Sequence, residues 1–259
     1  MGVRNLLDLS GKVALVTGGS RGIGLQMAQA LGEMGARVAI TARKADELAQ
    51  AHAHLHALGV DCHTIEGDLA QPAAIPGSVD SVGARWGAID ILVNNAGNNW
   101  AAPAEDYPDE AWRRVMSLNL DAQFYLTREV GRRAMIPRRS GKIVNIASIA
   151  GLFGNPPAWG MQTIAYNTSK GALVQMTRAL AAEWGGYNIN VNAICPGFFP
   201  SKMTKVTLDR IESGVLELTP LGRLGGDEDL MGAVVFFASE ASRHVTGQAL
   251  AVDGGCTVI

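Results

Sequence analysis

Short apolar runs and longer amphipathic stretches alternate along this chain. Val13–Val16 is an apolar run followed by Thr17, a cluster of glycines and a helical stretch through Met34, which Gly35 closes. The same alternation predicts further strands at Arg37–Thr41, Cys62–Glu66, Ile89–Val93, Gly141–Ser148, Ile189–Ile194 and Ala249–Val252. Between them, helical patterns cover Lys44–Leu58, Pro72–Trp86, Pro108–Met135, the stretch carrying Tyr166 and Lys170, and Asp227–Ser239. Pro76, Gly77 and Gly83 blur the bounds of the Pro72–Trp86 helix, whereas Pro108 suits a first helical turn. Nearly continuous apolar strands are buried on both faces, the pattern of a parallel sheet covered by helices on each side. No linker, charge block or repeat divides the 259 residues. The expectation is one α/β, doubly wound, Rossmann-type domain over 1–259, with rim loops near 98–105, 150–163 and 198–222.

Composition narrows the partners. Hydrophobic residues make up 47% of the chain, enough for a sizeable core, and the net charge of −2 gives no electrostatic case for nucleic acid or an anionic membrane. Cys62, Cys195 and Cys256 are odd in number and far apart, which points to a reduced protein without disulfides or a thiolate zinc site. Arg4 and Asp8 interrupt the N-terminal residues where a signal peptide would be apolar. No run approaches the ~18 apolar residues of a spanning helix, and the expected location is the cytoplasm. His52, His54 and His56 lie on an outer helix with no acidic or thiol companion at ligand spacing, so no metal site is expected.

The candidate chemistry gathers between Gly141 and Lys170. Tyr166 and Lys170 stand at i and i+4 on one helix face, which sets an ammonium near a phenol. A fixed cation favours the phenolate, and the expectation is a lowered Tyr166 pKa suited to proton exchange at neutral pH. Ser148 ends the preceding predicted strand, where ligands bind in parallel α/β sheets, and so faces Tyr166. A second site precedes it. Thr17-Gly18-Gly19-Ser20-Arg21-Gly22-Ile23-Gly24 joins the first strand to the first helix, and glycines there let the backbone approach a pyrophosphate at a helix N-terminus. The second strand ends in Thr41-Ala42-Arg43, without the carboxylate that would bind a ribose 2′-hydroxyl. Arg21 and Arg43 can reach one phosphate, which favours NADP(H) over NAD(H).

With Asp68-Leu69, Asn94-Asn95-Ala96-Gly97, Asn119, Pro196-Gly197 and Val252-Asp253-Gly254-Gly255 added in order, the chain resembles the ~250-residue branch of the short-chain dehydrogenase/reductase family. The resemblance runs from Lys12 to Val252. It implies that Ser148 holds the substrate oxygen, that Tyr166 is the general acid or base, and that Lys170 also binds the nicotinamide ribose. Asn119 would hold a water that relays protons to Lys170. The implied cofactor contacts are Gly18, Ser20, Arg21, Gly22, Ile23, Gly24 and Arg43 at the nucleotide end, with Asp68 accepting from the adenine and Leu69 beside it. Asn94, Ala96 and Gly97 would line the middle, and Tyr166, Lys170, Pro196, Gly197, Phe199 and Ser201 the nicotinamide end. Ser201 stands where the family often has a threonine, and a serine hydroxyl can make the same hydrogen bonds. The interval from Ser148 to Tyr166 is several residues longer than usual.

Trp100, Phe153, Trp159, Phe198 and Met203 fall in the rim loops and suggest an apolar pocket for a small-molecule ketone such as a 3-oxoacyl thioester. A subunit contact or a lid would use the same residues, and Asn98, Asn99, Asn155 and Gln162 in those loops would suit a sugar or polyol of the gluconate type. Arg128, Arg132, Arg133, Arg138 and Arg139 form a basic helix end, open to an acidic carrier protein or simply solvated. Small residues at Gly171, Ala172, Ala179 and Ala182 permit close helix packing, and the resemblance implies a homo-oligomer, a tetramer or dimer. A nucleotide-binding module without turnover would need the glycine turn but not Ser148, Tyr166 and Lys170.

Overall fold

The computed structural model of the protein describes residues 2–202 and 204–259. A short helix α1 (Val3–Leu7) precedes β1 (Val13–Thr17), α2 (Gly22–Glu33), β2 (Arg37–Ala42), α3 (Ala45–Ala57) and β3 (Cys62–Glu66). Then follow α4 (Ile75–Trp86), β4 (Ile91–Asn94), α5 (Asp109–Met116), α6 (Ala122–Val130), α7 (Ile136–Arg138) and β5 (Gly141–Ile146). The last elements are α8 (Ile164–Trp184), β6 (Ile189–Pro196), α9 (Lys205–Glu217), α10 (Met231–Ala238) and β7 (Ala249–Val252).

The strands form one seven-stranded sheet in the order β3-β2-β1-β4-β5-β6-β7. Every pairing is parallel, for instance Val13 with Arg37 and Ala14 with Ile91. This is a Rossmann-type α/β fold. Chain order reverses between β1 and β4, and the crevice beyond the strand C-termini at such a reversal is where ligands bind.

The alternation of side chains along β1 shows why the strands read as unbroken apolar runs. Ala14 and Val16 pack with Met27 and Leu31 of α2 and Phe237 of α10, whereas Val13 and Leu15 point to the other face, toward Leu126 and Val130 of α6. Each fully buried Val or Leu contributes ~1.5–3 kcal/mol of apolar burial. Cys62, Cys195 and Cys256 are unpaired and buried, and burial pushes the first two thiols up to about 11.

Two expectations change. The segment taken as a rim loop near 198–222 contains α9, whose Leu208, Ile211 and Val215 are buried on one face. Their i, i+3, i+7 spacing is an amphipathic stripe that was legible. The predicted helix Pro108–Met135 starts one residue later, with Pro108 extended before Asp109. It also widens twice, into π turns at Ser117–Asp121 and Gly131–Met135. Such turns inside a helix frequently mark functional positions, and the first is centred on Asn119.

Candidate active site

A cleft of about 410 Å³ opens at the strand reversal. One wall is the glycine turn. Gly18 and Gly22 take positive φ values of 63° and 52°, which an L side chain adopts only under strain. A Cβ on Gly24 would run into the Gly18 carbonyl and the Asn95 side chain, so α2 packs against the turn only because residue 24 is glycine. Asn95 closes this wall by donating from Nδ2 to the carbonyls of Thr17 and Gly18 at 2.8 and 3.1 Å. Thr17 Oγ1 accepts from the backbone N–H groups of both Asn95 and Ala96 at 2.9 Å, stitching the end of β4 to β1.

The opposite end is built on α8. Ser148 follows β5 and caps a short turn by accepting from the Ala150 N–H at 3.1 Å. Gly151 ends that turn with its Cα against the α8 backbone, where a Cβ would lie 2.5 Å from the Lys170 carbonyl carbon. This close approach brings the Ser148 loop onto the helix that carries Tyr166. Lys170 is 4% exposed, donates to the Ile146 carbonyl at 2.6 Å, and sits 5.6 Å from the centre of the Tyr166 ring. Ser148, Tyr166 and Lys170 all line the cleft.

The electrostatics differ from the sequence expectation. Burial raises the Tyr166 phenol above its usual value, and its hydrogen bond with Ser148 pulls only partly the other way. Burial also drives Lys170 down to about 8. The i, i+4 argument located the pair correctly but omitted the loss of hydration, which penalises phenolate and ammonium alike.

Asn119 is fully buried and acts through its neighbours. Its side-chain carbonyl accepts from the Asn98 N–H at 2.8 Å, and its amide donates to the Asn98 carbonyl at 2.9 Å and to Ser169 Oγ at 3.1 Å. One side chain therefore pins the loop after β4 to the helix of Tyr166 and Lys170. It is not among the residues that line the cleft. Gln123, also buried, donates to the Ala96 carbonyl at 2.9 Å from the next turn of the same helical stretch.

Known proteins are similar to this chain along their whole length. A family model described as enoyl-(acyl carrier protein) reductase matches residues 18–257. The chain belongs to the short-chain dehydrogenase/reductase family. Gluconate 5-dehydrogenase of Gluconobacter oxydans is 40% identical over 256 residues, 98% of each chain. The rhamnolipids biosynthesis 3-oxoacyl-[acyl-carrier-protein] reductase of Pseudomonas aeruginosa is 40% identical over 254 residues, 96% of this chain and 97% of that one. Among solved structures, a gluconate 5-dehydrogenase from Burkholderia cenocepacia in complex with NADP and tartrate superposes with a TM-score of 0.93 at 36% identity, covering both chains fully. This short-chain dehydrogenase/reductase is accordingly an oxidoreductase.

Most residues expected to meet a cofactor do line the cleft of this dehydrogenase/reductase. They are Gly18, Ser20, Arg21, Gly22, Ile23, Gly24 and Arg43 at one end, Asp68, Leu69, Ala96 and Gly97 in the middle, and Pro196, Gly197, Phe199 and Ser201 on the far side. Asn94 is the exception. It is fully buried behind the wall, donating to Thr127 Oγ1 at 2.8 Å and Asn145 Oδ1 at 2.9 Å, and the next residue, Asn95, faces the cleft instead. The alternation of side chains at a strand end decides between two adjacent asparagines. Lys44, Glu47, Lys202 and Thr204 line the cleft without having been expected; the charge pattern after β2 was a signal for the first two alone.

The expected apolar pocket is arranged differently. Phe153, Trp159 and Phe198 stack edge to face, at 6.2 and 5.2 Å, in a cluster with Ile211 and Val215 of α9. None of the three lines the cleft, and Trp159 is 3% exposed. They build the wall behind the rim because α9 offers them an apolar face. Trp100 is 44% exposed, and Met203 lies outside the described residues. The polar rim is engaged internally as well. Asn155 bonds to the Met161 carbonyl, Thr163 and Asn167, and Asn98 donates to the Arg114 carbonyl.

The basic helix end is locally paired. Arg132 and Arg133 meet Glu129, Arg133 meets Asp80, Arg138 meets Asp90, Arg139 donates to the Gly186 carbonyl, and Arg128 lies over the Phe124 and Tyr125 rings. His52 and His56 stack at 6.0 Å on α3. Among the described residues no helix is long and apolar enough to cross a membrane.

Proposed function

We propose that this protein moves a hydride between NADP(H) and a carbonyl or secondary alcohol, with an apolar ketone of the 3-oxoacyl thioester class as substrate. The observation that carries the reading is the convergence of Ser148, Tyr166 and Lys170 at one end of a cleft whose other end is a glycine turn flanked by Arg21 and Arg43. The nicotinamide supplies the hydride chemistry when bound. Fit to that cofactor is supported by Gly18 and Gly22, whose positive φ shapes the turn at the N-terminus of α2, and by the absence of a carboxylate at the end of β2.

Ser148 holds the substrate oxygen and polarises the carbonyl. Tyr166 donates its phenolic proton in reduction and takes one back in oxidation. Its raised pKa keeps the phenol protonated near neutrality, the form that reduction requires. Lys170, at about 8, exchanges protons readily at that pH and presents its remaining donors to the cofactor ribose. Asn119 positions the Asn98 backbone and Ser169 around that lysine.

The apolar substrate is supported by the rim, where Asn98 and Asn155 are bonded within the protein and the wall behind them is aromatic. A sugar acid is the second reading, supported by the tartrate bound in the Burkholderia relative. Comparing kcat/KM with NADPH for a short 3-oxoacyl thioester and for 5-ketogluconate decides between them. The first is expected to be the better substrate, and a higher kcat/KM for 5-ketogluconate overturns that choice. We place the enzyme in the cytoplasm and as a homo-oligomer, the assembly being supported by the exposed Trp112 and Phe124 on α5 and α6. Light scattering of the purified protein tests the assembly.

A further inference from the structure

The nucleotide end of the cleft carries a charge arrangement that the glycine turn and β2 do not explain. Glu47, in the first turn of α3, faces Arg21 Nε at 3.5 Å with one carboxylate oxygen. Its other oxygen faces Lys44 Nζ at 3.4 Å and Lys202 Nζ at 3.9 Å. Arg21 comes from the glycine turn and Lys44 directly precedes α3. Lys202 comes from the opposite side of the cleft, in the segment after β6. Three cations thus face one carboxylate, and Arg43 lines the same cleft.

That surplus suits an anion of higher charge than a carboxylate. A phosphate monoester brings about two negative charges and three acceptor oxygens, against one charge and two oxygens for Glu47. Lys202 is also held where it can serve both ends of a bound nucleotide. Ser201 and Thr204 bracket it in a tight turn, with the Ser201 N–H on Thr204 Oγ1 at 2.9 Å and the Thr204 N–H on Ser201 Oγ at 3.2 Å.

We infer that Lys202 is a specificity-determining residue that binds the 2′-phosphate of NADP(H) from across the cleft, and that Glu47 is the internal anion which the phosphate displaces. Glu47 keeps Arg21, Lys44 and Lys202 gathered, and it lowers affinity for the phosphate by the repulsion it adds. The inference rests on the NADP(H) reading above, and its test separates the two.

The experiment is calorimetric titration of wild type, Lys202→Gln and Glu47→Gln with 2′,5′-ADP and with 5′-ADP, neither of which carries a nicotinamide. Lys202→Gln is expected to weaken 2′,5′-ADP roughly three- to tenfold while changing 5′-ADP less than about twofold. Glu47→Gln is expected to tighten 2′,5′-ADP by about two- to fivefold, since it removes a like charge from the site. Equal losses for both ligands in Lys202→Gln, or no loss for either, overturn the role of Lys202 while leaving the cofactor reading intact. Weaker 2′,5′-ADP binding by Glu47→Gln overturns the displaced-anion role. A wild type that binds the two ligands equally well overturns the NADP(H) reading and this inference together.

Discussion

At one end of the cleft Lys202 meets Glu47 with 72% of its side chain in solvent; at the other, Lys170 meets Tyr166 with almost none. Both are lysines set beside a group that carries or can acquire negative charge. In water the first interaction at ~4 Å is worth about 1 kcal/mol, and salt screens it. The second sits where hydration has been lost, and its main effect is to move two pKa values rather than to hold two groups together. Exposed charge gives the protein a reversible grip on a ligand, whereas buried charge gives it a proton that can be exchanged.

The largest effect should come from the buried end. Tyr166→Phe is expected to lower kcat by at least about 10²-fold, the scale of a lost general acid, with 2′,5′-ADP binding within twofold of wild type. A variant that kept its turnover would break the contrast, because the buried end would then have no chemical role. Next is the wall between the two ends. Gly24→Ala should destabilise the protein by ~1–3 kcal/mol, since the new methyl has no room beside Gly18 and Asn95. It should also weaken both adenine nucleotides together, as titration and thermal melting would show.

At the solvated end, Arg43→Ala should raise the KM for NADPH by roughly tenfold and that for NADH far less. Added salt should shrink the difference, and a salt-independent effect would mean that this end is not solvated electrostatics. The smallest effect sharpens the comparison from the buried side. Lys170 has a folded pKa of about 8 against 10.5 for an ordinary lysine. Between those values the unfolded chain binds the extra proton, so unfolding free energy rises with pH across that window. The stability of wild type relative to Lys170→Met should therefore improve from pH 7 to pH 10. The Ile146 carbonyl, left without its donor in the variant, adds a cost that does not vary with pH.

How much of this was legible follows the same division. The sheet, its parallel pairing and the glycine turn could be read because burial on both faces writes continuous apolar runs and positive φ selects glycine. Ser148, Tyr166 and Lys170 could be read because strand ends and helical spacing are local facts. What could not be read depends on groups distant in sequence. Lys202 and Glu47 are 155 positions apart in number and acquire meaning only when β6 and α3 face one another. Asn94 and Asn95 differ only in which side of the strand end they take. Phe153, Trp159 and Phe198 were assigned to a pocket because α9, the partner that buries them, went unread; its stripe of Leu208, Ile211 and Val215 was available in the sequence. The direction of the Tyr166 shift required burial, which spacing alone does not supply.

The three enclosed cysteines give the molecule a set of internal clocks. With thiols at about 11, Cys62 and Cys195 expose roughly one thiolate in a thousand at pH 8, and their packing withholds even that from a bulky reagent. Labelling can proceed only as fast as the surrounding structure breathes. Cys62 on β3 reports the edge of the sheet, Cys195 on β6 the floor beneath Lys170, and Cys256 the aromatic cluster around Trp159. The order in which a thiol reagent finds them would chart which part of the fold loosens first.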